Sequence, residues 1–181
     1  MKMAWEFSIL YEIQKLHSPI MDAIMVFITQ LGDEGILWIA IGVICLFIKK
    51  YRKMGWNVLL AMLCTFIVGN LFLKNVIARP RPCAIDPSIT LLIPYPSEFS
   101  FPSGHSMNGM TAAVSLFLHN KKTGIPAIVL AVLIGFSRMY HFVHFPTDVL
   151  AGFLVGMTMA IIVKIVLDKR YNPNNGIKKL D

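Results

Sequence analysis

Long apolar segments separated by short polar turns make up most of the chain. Trp56 to Ile77 is long enough to cross a membrane, because a transmembrane helix needs ~20 mainly apolar residues. The other apolar segments have helical lengths, and the first two are short for a span. They are Pro19 to Leu31, Ile36 to Ile48, Ser103 to Leu118, Ile125 to Phe142 and Pro146 to Leu167. The pattern predicts an all-α membrane bundle of about six transmembrane helices.

The two ends of the chain and one long internal loop have a different pattern. Apolar and charged residues alternate from Ala4 to Leu16, which predicts an amphipathic helix on the membrane surface. Residues 78–101 are rich in proline and predict a loop, because proline disfavours helix interiors and central strands. We expect residues 169–181, which are polar, to form a flexible cytoplasmic tail.

Composition also favours a membrane protein. Hydrophobic residues make up 56% of the chain, charged residues make up 15%, and the mean hydropathy is +0.64. A soluble domain carries about a quarter charged residues. We therefore expect one integral-membrane domain over residues 1–181. The three cysteines are scattered and form no C-x-x-C pair, so they predict neither a disulfide framework nor a metal site.

Membrane topology explains the net charge of +7 better than nucleic-acid binding does. If six spans begin with a cytoplasmic N-terminus, most lysines and arginines fall on the cytoplasmic side, as the positive-inside rule requires. Both termini are then cytoplasmic. Basic residues kept on the opposite side are candidates for function. They are Lys74, Arg79, Arg81 and Arg138.

The segment from Ser137 to Asp148 concentrates polar chemistry between two apolar runs. His144 and Asp148 are one helical turn apart, so the carboxylate can fix the imidazole tautomer for nucleophilic or base work. Arg138 adds a planar cation suited to carboxylate or phosphate oxygens. Taken alone, such a cluster at a membrane interface can equally be structural.

The predicted topology brings a second and a third segment to this same end of the bundle. At the start of the fourth span, Ser103 is a natural helix cap and Gly104 allows close backbone approach. A helix N-terminus attracts anions. Lys74 and Arg81, at the end of the third span, can surround the same anion, which predicts a phosphate site.

The residues left over suit a reaction without a metal. His105, His144 and Asp148 supply a nucleophile and a proton donor. No set of carboxylates or histidines suited to two metal ions is present, so we expect a metal-independent reaction with no cofactor. The expected partners are a lipid phosphate or diphosphate substrate and membrane lipids, with no nucleic acid and no protein partner.

The same residues resemble the type 2 phosphatidic acid phosphatases, a family that shares its active site with vanadium haloperoxidases. The resemblance rests on three patterns, which occur in order within residues 68–156. They are K-x6-R-P (Lys74, Arg81, Pro82), P-S-G-H (Pro102, Ser103, Gly104, His105) and S-R-x5-H-x3-D (Ser137, Arg138, His144, Asp148). Together they imply a membrane lipid phosphatase with its active site facing the outside.

The resemblance also implies a role for each of these residues. His144 would attack phosphorus to form a phosphohistidine, Asp148 would orient it, and His105 would protonate the leaving oxygen and then activate water. The phosphoryl oxygens would be bound by a further set. It comprises Lys74, Arg81, Ser103, Gly104 and Arg138.

Several alternatives stay open at the level of sequence. Undecaprenyl diphosphate is the preferred substrate, and phosphatidylglycerophosphate and phosphatidic acid are the next candidates. A vanadate-dependent haloperoxidase and a non-catalytic protein that binds or transports a lipid phosphate would keep the same cations. Arg79 lies two residues before Arg81 and competes with it for the phosphate, and Glu98 lies close to the P-S-G-H turn.

Overall fold

The computed structural model describes residues 4–171 of the chain. This part consists of helices, turns and loops and contains no strand, which confirms the all-α prediction. The last helix continues to Tyr171, so the predicted tail does not begin at residue 169. The rest of that predicted tail, residues 172–181, lies outside the described residues.

Nine α-helices follow one another in the described part of the chain. They are α1 (Ala4–Gln14), α2 (Pro19–Gln30), α3 (Ile36–Phe47), α4 (Arg52–Thr65), α5 (Lys74–Ile77), α6 (Pro82–Ile85), α7 (Gly104–His119), α8 (Lys121–Tyr140) and α9 (Pro146–Tyr171). A π-helical segment, Phe66–Leu73, joins α4 to α5 without interruption. A proline-rich loop, residues 86–103, separates α6 from α7, and the loop predicted over residues 78–101 thus contains the short helix α6.

Four stretches within residues 4–171 are long and apolar enough to cross a membrane. They are Pro19–Phe47, Lys49–Ile85, Lys121–Tyr140 and Pro146–Arg170. The central helix α7 has only 16 residues and packs against α4, α8 and α9. Most of its side chains are buried, because it is surrounded by other helices rather than by lipid.

Small residues let α9 approach α7 closely, as the i, i+4 spacing of Gly152 and Gly156 predicts. A Cβ atom on Gly152 would lie 2.8 Å from the carbonyl oxygen of Ser103, and one on Gly156 would lie 2.5 Å from that of Met107. Any larger side chain would therefore push the two helices apart. This contact holds the start of α7 beside the start of α9.

The bundle has two distinct ends. At one end, the backbone amide of Ser103, before α7, donates to the carbonyl oxygen of Asp148 in the first turn of α9. We call this the site end. At the far end, Lys49 and Lys50 between α3 and α4 share a cavity with His119, the last residue of α7, and Asn120, which follows it.

The short helix α2 stays at the site end. Tyr140, the last residue of α8, donates to Asp22 near the start of α2. Beyond the end of α2, a Cβ atom on Gly32 would lie 2.8 Å from Ile134 in α8. Ile134 and Tyr140 are only ~9 Å apart along their helix, so α2 does not run between the two ends. Pro19–Phe47, which contains both α2 and α3, is accordingly a single candidate span.

The described start and end of the chain lie at opposite ends of the bundle. Glu6 in α1 accepts hydrogen bonds from Arg79 and Thr147 at the site end. Lys164 and Asp168, late in α9, lie near His119 at the far end. The cytoplasmic placement of both termini stays a prediction.

Candidate active site

A cavity of about 280 Å³ opens at the site end. Six of the eight residues predicted for the site line it, although they come from three separate parts of the chain. These six are Lys74, Arg81, Gly104, His105, Arg138 and His144. Ser103 and Asp148 are fully buried behind the lining. The predicted convergence of the three motifs is thus present in the fold.

All three cations in the cavity are nearly buried. Arg138 donates through one terminal nitrogen to Thr29 Oγ1 at 2.6 Å, while its Nε has no partner among the described residues. Lys74 is paired with Glu98, whose carboxylate extends from the proline-rich loop. A buried N–H without a partner is costly, so an anion in the cavity would satisfy a real deficit.

Arg81 is fixed from several sides and faces a histidine. Its guanidinium donates to the carbonyl oxygens of Glu98 at 2.6 Å and Val143 at 3.0 Å. The same NH1 group lies 3.0 Å from His144 Nε2. Because a guanidinium can only donate, this nitrogen of His144 must be the acceptor, and the ring proton is then on Nδ1.

The Nδ1 side of His144 faces a carboxylate. Asp148 Oδ2 lies 3.6 Å from Nδ1, and Ser100 Oγ lies 3.4 Å from it. Asp148 Oδ2 also accepts from Ser100 Oγ at 2.5 Å and from the backbone amide of Phe145 at 2.8 Å. These bonds fix the carboxylate beside the imidazole, and Nε2 on the opposite side of the ring carries the lone pair that accepts from Arg81.

Burial lowers the pKa of His144 from 6.5 to about 3, although Asp148 acts in the opposite direction. The unfolded chain therefore takes up a proton at His144 as the pH falls through 6.5, whereas the folded protein does not until about pH 3. Linkage then requires that stability contributed by this neutral imidazole is lost as the pH falls across that window.

We expect His144→Gln to flatten the pH dependence of stability in the phosphate-free protein. The change removes the group whose protonation favours the unfolded state between about pH 6.5 and pH 3. Thermal unfolding in detergent, followed across this range for both proteins, measures the effect. Parallel curves for the two proteins would show that His144 is not buried in a neutral form.

His105 belongs to a second histidine–carboxylate pair. Its Nε2 lies 2.9 Å from Asp33 Oδ1, in the turn between α2 and α3. His105 also lines the cavity from the first turn of α7. Burial and the charge of Arg138 lower the pKa of His105 to about 4, and Asp33 acts in the opposite direction. Asp33 therefore favours the protonated imidazole, which is the form that can give a proton to a leaving group.

The N-terminus of α7 forms one wall of the cavity. Ser103 caps the helix by accepting from the amide of Ser106, so its hydroxyl is engaged behind the wall rather than in the cavity lining. Gly104 and His105 open the helix, and their amide groups have no partner within it. A Cβ atom on Gly104 would lie 4.0 Å from Lys74 Nζ, within the space available to a bound anion.

Sequence reasoning missed several residues that support the site. Asp33 and Glu6 have the sequence context of ordinary charges in a loop and on a surface helix, and Ser100 belongs to none of the three patterns. No pattern in the sequence indicates their contacts, because each partner is distant along the chain. Glu98 is different, since its position close to the P-S-G-H turn is visible in the sequence. Arg79 does not line the cavity but contacts Asp148.

An apolar groove adjoins the cavity. Ile39 of α3 and Leu59 and Leu63 of α4 line it, and its volume is about 300 Å³. Glu34 and Asn108 line both the groove and the cavity, so the two spaces meet there. A phosphate in the cavity could therefore carry an apolar chain that leaves along α3 and α4.

Within the described residues, no group of three or more histidine, cysteine, aspartate or glutamate side chains is placed to hold a metal ion. The two histidines are instead paired with carboxylates on different elements: His144 with Asp148 in α9, and His105 with Asp33 before α3. Metal independence remains a prediction, and a chelator can test it.

Comparison with known proteins identifies relatives of the whole domain. A family model described as the PAP2 superfamily matches residues 54–172. An undecaprenyl-diphosphatase of Sulfolobus acidocaldarius is 35% identical over 143 residues, which cover 78% of this chain and 68% of that protein. Phosphatidylglycerophosphatase B of Bacillus subtilis is 38% identical over 162 residues, which cover 82% of this chain and 76% of that protein.

The fold also matches a solved membrane structure. A transmembrane PAP2-type phosphatidylglycerolphosphate phosphatase from Bacillus subtilis superposes with a TM-score of 0.75 and 32% sequence identity. The match covers 98% of this chain and 88% of that structure. The similarity therefore includes the N-terminal helices, which lie outside the segment that the family model matches.

Proposed function

Because the chain belongs to the PAP2 superfamily, we propose that its cavity binds the phosphate of a membrane lipid and that undecaprenyl diphosphate is the preferred substrate. Family membership makes the chain a phosphoric ester hydrolase and an integral-membrane lipid phosphatase. The observation that carries the finer proposal is the meeting of Lys74, Arg81 and Arg138 with two histidines around one cavity.

The first chemical step uses His144 as the nucleophile. Its Nε2 lone pair would attack phosphorus while the bond from phosphorus to the bridging oxygen breaks, giving a phosphohistidine. The imidazole becomes positive as this bond forms, and the Asp148 carboxylate beside Nδ1 would stabilise that charge. Arg81 and Arg138 would hold the charged oxygens of the transferred group.

His105 would act as the general acid in the first step and as the general base in the second. In its protonated form, paired with Asp33, it would give a proton to the oxygen that leaves phosphorus. The neutral ring would then take a proton from water as the water oxygen attacks the phosphohistidine, releasing inorganic phosphate and free His144. This returns both histidines to their starting states.

The apolar groove supports a lipid rather than a soluble phosphate as substrate. A headgroup in the cavity would place the chain beside Glu34 and Asn108, where the groove begins. The groove lies on the outer surface of α3 and α4, because Ile39 and Leu63 are exposed. A membrane lipid could therefore enter sideways, with its chain still in contact with the bilayer.

We expect Leu63→Trp to raise the KM for a long-chain lipid phosphate by about tenfold, which corresponds to ~1.4 kcal/mol of lost binding. The larger ring would fill the groove but leave the cavity unchanged, so turnover of a short-chain phosphate should stay normal. Leu71→Trp is the matched control, because Leu71 is equally exposed but lies outside the groove. An equal rise in KM for the long-chain and the short-chain substrate would show that the lipid's apolar chain does not bind in this groove.

We propose that the site end faces the outside of the cell membrane. Most basic residues near a helix end lie at the far end, for example Lys49, Lys50, Lys121 and Lys122, as expected for the cytoplasmic side. The phosphate site would then reach lipids of the outer leaflet. This orientation suits an enzyme that recycles a carrier lipid after its diphosphate is exposed there.

A phosphate-release panel tests the proposed substrate. The purified protein in detergent is given undecaprenyl diphosphate, phosphatidylglycerophosphate and phosphatidic acid, each with and without a chelator. We expect the highest kcat/KM for undecaprenyl diphosphate and no effect of the chelator. A higher value for phosphatidylglycerophosphate would favour the activity named for the Bacillus subtilis relative, and chelator sensitivity would overturn the metal-independent mechanism.

A further inference from the structure

A buried network behind His144 links the active site to the N-terminal helix. Asp148 Oδ1 accepts from Arg79 NH1 at 2.7 Å, and Arg79 NH2 donates to Glu6 Oε2 at 2.5 Å. Thr147 Oγ1 accepts from Arg79 at 2.7 Å and donates to Glu6 Oε1 at 2.5 Å. The Arg79 guanidinium also lies 4.0 Å from the centre of the Phe145 ring.

The position of Arg79 shows that it does not serve the phosphate directly. It does not line the cavity, although it lies two residues from Arg81, which does. Both of its terminal nitrogens donate to carboxylates behind His144. Arg79 therefore fixes the orientation of Asp148, whose second oxygen faces the imidazole.

Whereas Arg79 orients Asp148, Glu6 changes the net charge of the group beside His144. Its side chain is fully buried, and burying a carboxylate is expensive unless it is paired. An Arg79–Asp148 pair alone has no net charge, so its effect on the neighbouring imidazole would be weak. Adding Glu6 gives two carboxylates and one guanidinium, and the group keeps one negative charge beside the ring that becomes positive during phosphoryl transfer.

We propose that Glu6 and Arg79 are positioning residues for phosphoryl transfer: together they orient Asp148 and preserve its negative charge beside His144. The proposal rests on the function proposed above. It makes α1 part of the active site, although Glu6 lies outside the segment matched by the family model. The contacts of α1 at the site end would then serve the chemistry as well as the packing.

The first test is the kinetics of Glu6→Gln. We expect kcat to fall by about a hundredfold, as for a small misplacement of a catalytic group, while KM stays the same because the phosphate-binding cations are untouched. Glu12→Gln is the matched control on the same helix, since Glu12 is exposed and pairs only with Lys15. A rise in KM at normal kcat, or a loss of thermal stability alone, would overturn the proposal.

A double-variant cycle separates the charge effect from simple structural damage. Glu6→Gln with Arg79→Gln again leaves one negative charge, on Asp148. We therefore expect the double variant to have at least the kcat of Glu6→Gln alone, with the two losses far from multiplicative. Multiplicative losses would show that the two residues act independently and would overturn the proposal.

A milder variant keeps the test valid if the charged variants fold poorly. Thr147→Val has the same shape but removes the hydroxyl that bridges Glu6 and Arg79. We expect a smaller fall in kcat, of about tenfold, with unchanged KM. Wild-type protein in the same assay distinguishes the failures, since absent wild-type turnover refutes the proposed function, whereas normal turnover by all variants refutes only this inference.

Discussion

We expect His144→Ala to abolish phosphate release, with a loss of more than about 10⁴-fold in kcat. His144 Nε2 faces the cavity as a hydrogen-bond acceptor of Arg81, so it is the nitrogen placed to attack phosphorus. Alanine leaves no nucleophile in that position, and water would have to attack without the pairing that Asp148 provides. Initial rates with the best lipid substrate measure the effect.

The matched control for this experiment is His119→Ala. His119 is a partly buried histidine at the far end of the bundle, so its removal tests for general effects of losing an imidazole. Size-exclusion profiles and thermal unfolding in detergent establish that both variants are folded. Near-normal phosphate release by folded His144→Ala protein would end the assignment of His144 as nucleophile.

The second largest effect is expected for Asp148→Asn, with kcat lowered by about 10³- to 10⁴-fold. Asp148 Oδ1 accepts from Arg79, while Oδ2 accepts from Ser100 and from the amide of Phe145. An asparagine must place its NH₂ group toward one of these donor sets. With either choice, the NH₂ group meets a hydrogen-bond donor instead of an acceptor. The substitution also removes the negative charge that stabilises the positive imidazole.

The measurement for Asp148→Asn is kcat together with thermal stability, because Asp148 is buried and several groups depend on it. Asp168→Asn is the control, since Asp168 is exposed in α9 at the far end. We expect KM to change little, because Asp148 does not line the cavity. A folded Asp148→Asn protein with normal kcat would contradict the orienting role.

Much of the site could be predicted because its members lie in short patterns on helix ends. Lys74 and Arg81 lie at the end of one apolar segment, and His144 and Asp148 lie four residues apart, so local spacing and a plausible topology place them together. The position of α2 could not be predicted in this way. Pro19 to Leu31 has the composition of a short span, and only its contacts with Tyr140 and Ile134 show that it stays at one end.

The residues that support Asp148 from behind, such as Glu6, could not be predicted for a different reason. Glu6 occupies a helix with alternating charged and apolar residues, which is typical of a solvated face. Its partner Arg79 is 73 residues away, and only the folded chain brings them together. A carboxylate that completes a buried charge network and one that faces water have the same local sequence context.

The described start and end of the chain lie at opposite ends of the bundle, which has a practical consequence for fusion proteins. An affinity tag or partner domain attached ahead of α1 would lie at the site end, close to the helix that carries Glu6. A tag at the back would leave that surface clear.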